Sequence, residues 1–146
     1  PEKYNPFDNN TFKNSPIKFQ AVITNCETGQ PEYPEIKDAI TDIDILRASA
    51  SLPFLSKMVK LGDKKYLDGG VADSIPLKYS IKKGNKKNIV VLTRDRSYRK
   101  TQSKLGVISK VKYRKYPKFV ELMKTRYTRY NKTLEYIYDL EKRDNF

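Results

Sequence analysis

Apolar side chains recur at every second position in an early segment, residues 17–24, and this period of two predicts a half-buried strand. Residues 26–30 contain a glycine among polar residues and predict a turn. We expect residues 31–36 to return beside the first strand at the edge of a sheet, because Pro31 has no N–H to donate to an inner ladder.

A helix is predicted over residues 45–52. Asp42 or Asp44 can accept hydrogen bonds from the free N–H groups of its first turn, where a carboxylate also suits the helix dipole. The helix is expected to end before Pro53, because the residue that precedes a proline is pushed out of helical geometry.

The next segment alternates between strand and helix patterns. Residues 65–67 predict a short strand, Ser74 and Pro76 begin a helix that ends at Gly84, and residues 88–93 predict a fully buried strand. Two strands joined through a helix favour a right-handed crossover with nearly parallel strands. We therefore expect an α/β fold in this part of the chain.

Two helices are predicted near the C-terminus, over residues 103–111 and 117–142, with Pro117 in the first turn of the second. Apolar side chains form a single stripe on the second helix at spacings of three and four: Phe119, Met123, Tyr127, Tyr130, Leu134 and Ile137. Such a stripe indicates either core packing or contact with a partner.

The composition fits one domain with a well-solvated surface, since 38% of the 146 residues are hydrophobic and 32% are charged. Cys26 is the only cysteine, which rules out an intrachain disulfide and favours a reducing, cytoplasmic location. The chain contains no histidine, so a Ser-His-Asp triad cannot be assembled within it.

Charge separates the two halves of the chain. Residues 1–73 carry 9 basic and 11 acidic side chains, whereas residues 74–146 carry 21 and 6. The stretch from residue 99 to residue 132 has twelve basic side chains and one acid, with tyrosines between them. We expect seven of these side chains to form a surface that binds anionic lipid headgroups: Lys110, Lys112, Arg114, Lys115, Lys118, Arg126 and Arg129. This surface would attach the protein peripherally to the inner face of the membrane. A merely solvated basic face and a nucleic-acid surface are the alternatives, the latter without a recognisable binding motif.

Two neighbouring motifs carry the candidate chemistry. Residues 47–54 read Arg-Ala-Ser-Ala-Ser-Leu-Pro-Phe, and residues 65–77 contain Asp68-Gly69-Gly70 at the end of a short apolar run. The block resembles the C-terminal signature of the patatin-like phospholipases, and the basic tail is similar to a bacterial branch of that family. The resemblance implies the C-terminal portion of a three-layer α/β/α hydrolase fold. It also implies that Asp68 is the catalytic partner of a serine nucleophile in a Ser-Asp dyad, with Gly69 and Gly70 giving access to it.

Asp68 followed by Gly69 also fits a simple β-hairpin turn, in which the carboxylate has no catalytic role. The chain would then be a basic module that binds nucleic acid or an anionic membrane without catalysis. The flanking motifs favour the hydrolase, because a hairpin does not require them.

The chain has no Gly-x-Ser-x-Gly elbow and no triple glycine for an oxyanion loop. Ser49 and Ser51 lie in a helical pattern, where packing or capping is expected of them. We therefore expect the nucleophile and the oxyanion loop to lie upstream of this chain, which alone should be inactive. Residues 1–97 are interpreted as part of a catalytic domain that hydrolyses acyl esters of lipids, and residues 98–146 as a basic helical extension. The reading implies no metal and no organic cofactor, and it leaves the oligomeric state open.

Overall fold

The computed structural model describes residues 6–103 and 106–143. Within these residues the strands are β1 (Phe19–Gln20), β2 (Ile23–Asn25), β3 (Pro31–Glu32), β4 (Glu35–Ile36), β5 (Val59–Leu61) and β6 (Lys64–Asp68). The α-helices there are α1 (Asn9–Asn14), α2 (Ile43–Ser49), α3 (Leu77–Lys82), α4 (Gly106–Lys112), α5 (Pro117–Lys124) and α6 (Arg126–Arg143). A single 3-10 turn, Gly69–Val71, follows β6 directly.

The first four strands belong to one interrupted hairpin. β1 pairs with β4 and β2 pairs with β3 in the same antiparallel register, and the N–H of Ala21 donates to the carbonyl of Pro34 between the two ladders (3.1 Å). The predicted strand over residues 17–24 is therefore present in two pieces. The edge position of β3 confirms the prediction made from Pro31.

The main sheet has the strand order β3-β2-β6-β5, and every ladder in it is antiparallel. The prediction of a parallel crossover is wrong for the described residues, because residues 88–93 are irregular and largely exposed. The physical reason lies in β6, which is hydrogen-bonded to β2 on one side and β5 on the other. It therefore offers no free edge to a further strand.

Helices cover both faces of this sheet, which agrees with the predicted α/β class. Tyr66 packs with Ala48 of α2 in one buried cluster. Leu67, the next residue along β6, points to the opposite face and packs with Tyr113 and Phe119. The C-terminal helices thus share a hydrophobic core with the sheet, while the division of the chain at residue 97 stays a prediction.

The helix boundaries agree with the sequence in part. α2 ends at Ser49 rather than at residue 52, and the carboxylate of Asp42 accepts from the N–H groups of Lys37 and Asp38 instead of capping the helix. α3 is confirmed, and Gly84 follows it with a φ of 91°, a left-handed conformation that glycine adopts readily.

The predicted helix over residues 117–142 is divided at Thr125 into α5 and α6. The hydroxyl of Thr125 donates to the carbonyl of Glu121 (3.1 Å) at this junction. The apolar stripe faces inward, with Phe119 and Leu134 buried and its other members half-buried. The helix predicted over residues 103–111 corresponds to α4 (Gly106–Lys112), and residues 104 and 105 of that prediction lie outside the described residues.

Candidate active site

Asp68 is the last residue of the central strand β6. Its N–H donates to the carbonyl of Ser51 (2.8 Å), and its carbonyl accepts from the hydroxyl of Thr24 (2.7 Å). The chain does not turn back into a hairpin at Asp68, since β6 pairs with strands that precede it and the 3-10 turn leads on towards α3. The hairpin alternative is therefore wrong.

The two carboxylate oxygens of Asp68 have different surroundings. Oδ1 accepts from the N–H of Gly70 (2.6 Å). No donor among residues 6–103 and 106–143 bonds to Oδ2. One oxygen thus anchors the side chain, while the other is available to a hydroxyl group that enters from outside.

Gly69 and Gly70 each occupy a position where a side chain would meet a different neighbouring group. A Cβ at Gly69 would lie 2.0 Å from the carbonyl oxygen of Val22, so only glycine fits where the turn crosses the chain before β2. A Cβ at Gly70 would lie 2.9 Å from Oδ1 of Asp68. The absence of a side chain at both positions keeps the carboxylate close to the backbone and leaves space beside it.

Asp68 lines an open cleft of about 440 Å³ between the hairpin, α2 and the segment before α3. Apolar and polar side chains share its wall: Phe19, Gln20, Ala21, Val22, Leu46, Ser49, Ala50, Asp68, Gly70, Asp73, Ser74 and Pro76. A concave surface that combines apolar side chains with a few polar groups is typical of a small-molecule site.

A second carboxylate, Asp73, lines the cleft and is hydrogen-bonded to one member of an aromatic pair. It accepts a hydrogen bond from the hydroxyl of Tyr33 (2.6 Å), and the ring of Tyr33 stacks on that of Tyr79 with centroids 3.7 Å apart. Burial and the adjacent Asp73 raise the pKa of Tyr33. Sequence periodicity does not predict this group, although Asp73 lies within the motif of residues 65–77 that points to Asp68.

The serines near Asp68 have different contacts. Ser49 lines the cleft from α2, while Ser51 is buried and donates to the carbonyl of Arg47 (2.7 Å). Ser74 donates to the carbonyl of Gly70 (2.6 Å). The contacts of Ser51 and Ser74 stabilise local backbone, and neither serine sits on a strand-to-helix elbow.

Two arginines of α6 reach the turn that follows Asp68. Arg126 Nε donates to the carbonyl of Gly70 (2.9 Å), and Arg129 Nη2 donates to the carbonyl of Val71 (2.9 Å). Both side chains are half-buried. Burial, followed by the charge of Arg126, lowers the pKa of Arg129. The sequence had grouped both with the exposed basic residues, because charge alone does not reveal burial.

The other five residues of that set are exposed: Lys110, Lys112, Arg114, Lys115 and Lys118. Lys112 Nζ donates to the carbonyl of Phe54 (2.8 Å), a residue with a left-handed φ of 71°. Exposed apolar side chains lie close in the chain to these contacts, namely Leu55, Ile108 and Val111. The basic surface therefore adjoins an apolar one.

Within the described ranges, no three histidine, cysteine, aspartate or glutamate side chains are grouped so that they could hold a metal ion. No helix in that part of the chain is long and apolar enough to cross a membrane.

Comparison with known proteins gives one family. The family model of the patatin-like phospholipases matches residues 4–81. An uncharacterized protein of Escherichia coli, YjjU, is 40% identical over 52 residues, which are 35% of this chain and 15% of that protein. The matched region thus spans only a small part of this relative. No solved structure matches.

Proposed function

Since the chain belongs to the patatin-like phospholipase family, we propose that the protein of which it forms part hydrolyses acyl esters of lipids with a Ser-Asp dyad. Asp68 is the acid of that dyad. The serine and the oxyanion loop are supplied by sequence upstream of this chain, since both precede the Asp motif in the family. This chain alone lacks the Gly-x-Ser-x-Gly elbow, so it should not turn over esters.

The free Oδ2 of Asp68 is the observation that carries the proposal. Gly70 holds Oδ1, and the main-chain groups of Asp68 are bonded on both sides, so the carboxylate is fixed before a substrate arrives. Oδ2 can then accept the hydroxyl proton of the serine as its oxygen attacks the acyl carbonyl. When the tetrahedral intermediate collapses, the leaving alcohol takes up the proton held by Asp68. Water then gives a proton to Asp68 as it attacks the acyl-enzyme, which releases the acid and returns the proton to the serine.

Asp68→Asn in the complete protein tests this role. We expect kcat to fall by roughly 100-fold or more with a nearly unchanged melting temperature, because the amide keeps the shape but cannot take the proton. Ser49→Ala is the matched control, as it alters the same cleft without touching the dyad, and it should keep most of the activity. A near-normal kcat for Asp68→Asn on a short-chain nitrophenyl ester would contradict the assignment.

The exposed basic residues support a second part of the proposal, attachment of the protein to the anionic inner face of the membrane from a cytoplasmic location. Lysine and arginine near a charged bilayer contribute about 1 kcal/mol each. Leu55, Ile108 and Val111 offer apolar contact beside them. The single cysteine, Cys26, is free and buried, which suits a reducing compartment.

Vesicle sedimentation of the complete protein tests the membrane surface. Arg114→Glu combined with Lys115→Glu should weaken binding to anionic vesicles about tenfold or more, since two charges are reversed on an exposed face. Binding to neutral vesicles should be weak and should not change. Equal binding to both vesicle types would remove the electrostatic account, and tighter binding to DNA than to vesicles would favour the nucleic-acid alternative.

A further inference from the structure

The half-buried arginines of α6 lie far from Asp68 in sequence, but both donate hydrogen bonds to the turn that directly follows it. We propose that Arg126 is a positioning residue for the Asp68 carboxylate, with Arg129 as its support. This inference rests on the proposed hydrolase function. It assigns part of the basic C-terminal region to the active site rather than to the membrane surface.

Gly70 links Arg126 to the carboxylate of Asp68. Its N–H donates to Oδ1 of Asp68, while its carbonyl accepts from Arg126 Nε and from the hydroxyl of Ser74. A rotation of Gly70 would move the donor that orients the carboxylate. Glycine has no Cβ to restrict such a rotation, so the restraint must come from its hydrogen-bond partners.

Arg129 holds Val71, the residue that follows Gly70 in the turn. Its Nη2 donates to the carbonyls of Val71 and of Leu122, at 2.9 and 2.7 Å, and so joins the turn to α5. Its Nη1 donates to the hydroxyl of Thr125 at the junction of α5 and α6. The guanidinium group supplies several donors in a rigid plane, which a lysine could not reproduce.

Placing the positive charges of Arg126 and Arg129 in partly buried positions costs free energy. The Nε of Arg129 is buried and has no hydrogen-bond partner among the described residues. Burial lowers the pKa of Lys100, and the positive charge of Arg126 lowers it further. The negative charge of Asp68 acts in the opposite direction. Partly buried like charges persist where their hydrogen bonds hold a required geometry.

The experiment compares Arg126→Ala with Arg126→Lys and Arg143→Ala in the complete protein. On a soluble short-chain nitrophenyl ester, Arg126→Ala should lower kcat roughly 10- to 100-fold with KM changed less than about twofold, because a small misplacement of a catalytic group slows the reacting step. Arg126→Lys should recover part of the loss through a single donor. Arg143→Ala removes the same charge from an exposed position on the same helix and should leave kcat unchanged.

A second measurement does not depend on turnover. Hydrogen exchange of the Gly70 amide should accelerate at least about tenfold in Arg126→Ala, because the Gly70 N–H loses its fixed acceptor when the turn loosens, and it should stay unchanged in Arg143→Ala. Unchanged exchange together with a normal kcat would overturn the inference. Accelerated exchange in a protein whose Asp68→Asn variant stays active would instead show that the proposed function is wrong, although the arginine restrains the turn.

Discussion

Two segments of this chain both predict a strand from their sequences, but only one of them, β6, forms a strand, whereas residues 88–93 are irregular. β6 reads Lys-Lys-Tyr-Leu-Asp and is the central strand of the main sheet. Residues 88–93 read Asn-Ile-Val-Val-Leu-Thr, a richer β-forming composition, yet they are irregular, with Ile89 96% exposed. A strand is thus determined by the partners available to its backbone more than by its own residues.

The partners account for the difference. β6 follows β5 through a tight turn at Gly62 and meets β2 on its other side, so both of its hydrogen-bonding edges are used. Residues 88–93 follow α3, where the side chain of Asn88 bonds to Ser80 and to the carbonyl of Asn85. These polar contacts hold the start of the segment, but they provide no ladder and no apolar cover.

The largest expected effect concerns the end of β6. Gly69→Ala should destabilise the chain by about 4 kcal/mol or more, because its Cβ would lie 2.0 Å from the Val22 carbonyl oxygen and the backbone would have to move. Gly62→Ala is the control, since its Cβ would meet nothing within 4 Å and only its φ of 59° is unfavourable, at about 1 kcal/mol. Urea unfolding followed by circular dichroism measures both, and equal losses would contradict the close crossing.

The next prediction tests the comparison directly. Leu67→Ala should cost about 2–5 kcal/mol of unfolding free energy, since Leu67 is fully buried and its truncation leaves a cavity. Ile89→Ala should change the same quantity by less than about 0.5 kcal/mol, because an exposed side chain loses little packing. A loss at Ile89 as large as that at Leu67 would show that residues 88–93 are packed in solution.

A smaller effect on the free energy of unfolding is expected at alkaline pH from Cys26, a buried residue that packs with Leu67 of β6. Burial raises the pKa of the Cys26 thiol from its ordinary value of 9.0 to about 12, so the unfolded chain loses this proton at lower pH than the folded chain does. The stability that it confers is complete below pH 9 and falls as the pH rises towards 12.

Melting temperatures measured from pH 8 upward check this prediction. Cys26→Ala should flatten the decline between pH 9 and pH 10, below the ordinary pKa of 10.0 for tyrosine. The decline above that range should persist, because burial also raises the pKa of Tyr66 to about 12. An unchanged slope in Cys26→Ala would show that the thiol does not titrate with unfolding.

The sequence was sufficient to predict those elements that depend only on neighbouring residues. The edge position of Pro31, the end of α3 at Gly84 and the strand before Asp68 follow from backbone chemistry that needs no distant residue. β5 was missed, although Gly62 and Asp63 between two apolar runs are a signal for a hairpin.

The rest depends on contacts between distant parts of the chain. The exposure of residues 88–93 is decided by where β2 and β5 pair, and the burial of Arg126 and Arg129 by where α6 crosses the turn after Asp68. Periodicity and charge do not contain this information. For the candidate site, the motif identified Asp68 and both glycines, while the arginines beside them were assigned to the exposed surface.

The cluster that joins Cys26 and Leu67 to Tyr113 and Phe119 has a consequence for biosynthesis. The ribosome completes β2 and β6 long before it completes α4 and α5, so one face of the sheet stays uncovered while the basic helices are still inside the exit tunnel. Contacts between positions so far apart in the sequence also slow the final closure of a fold. We therefore expect the newborn chain to pass through a stage in which Leu67 is accessible to chaperones, and this stage ends when α4 and α5 emerge.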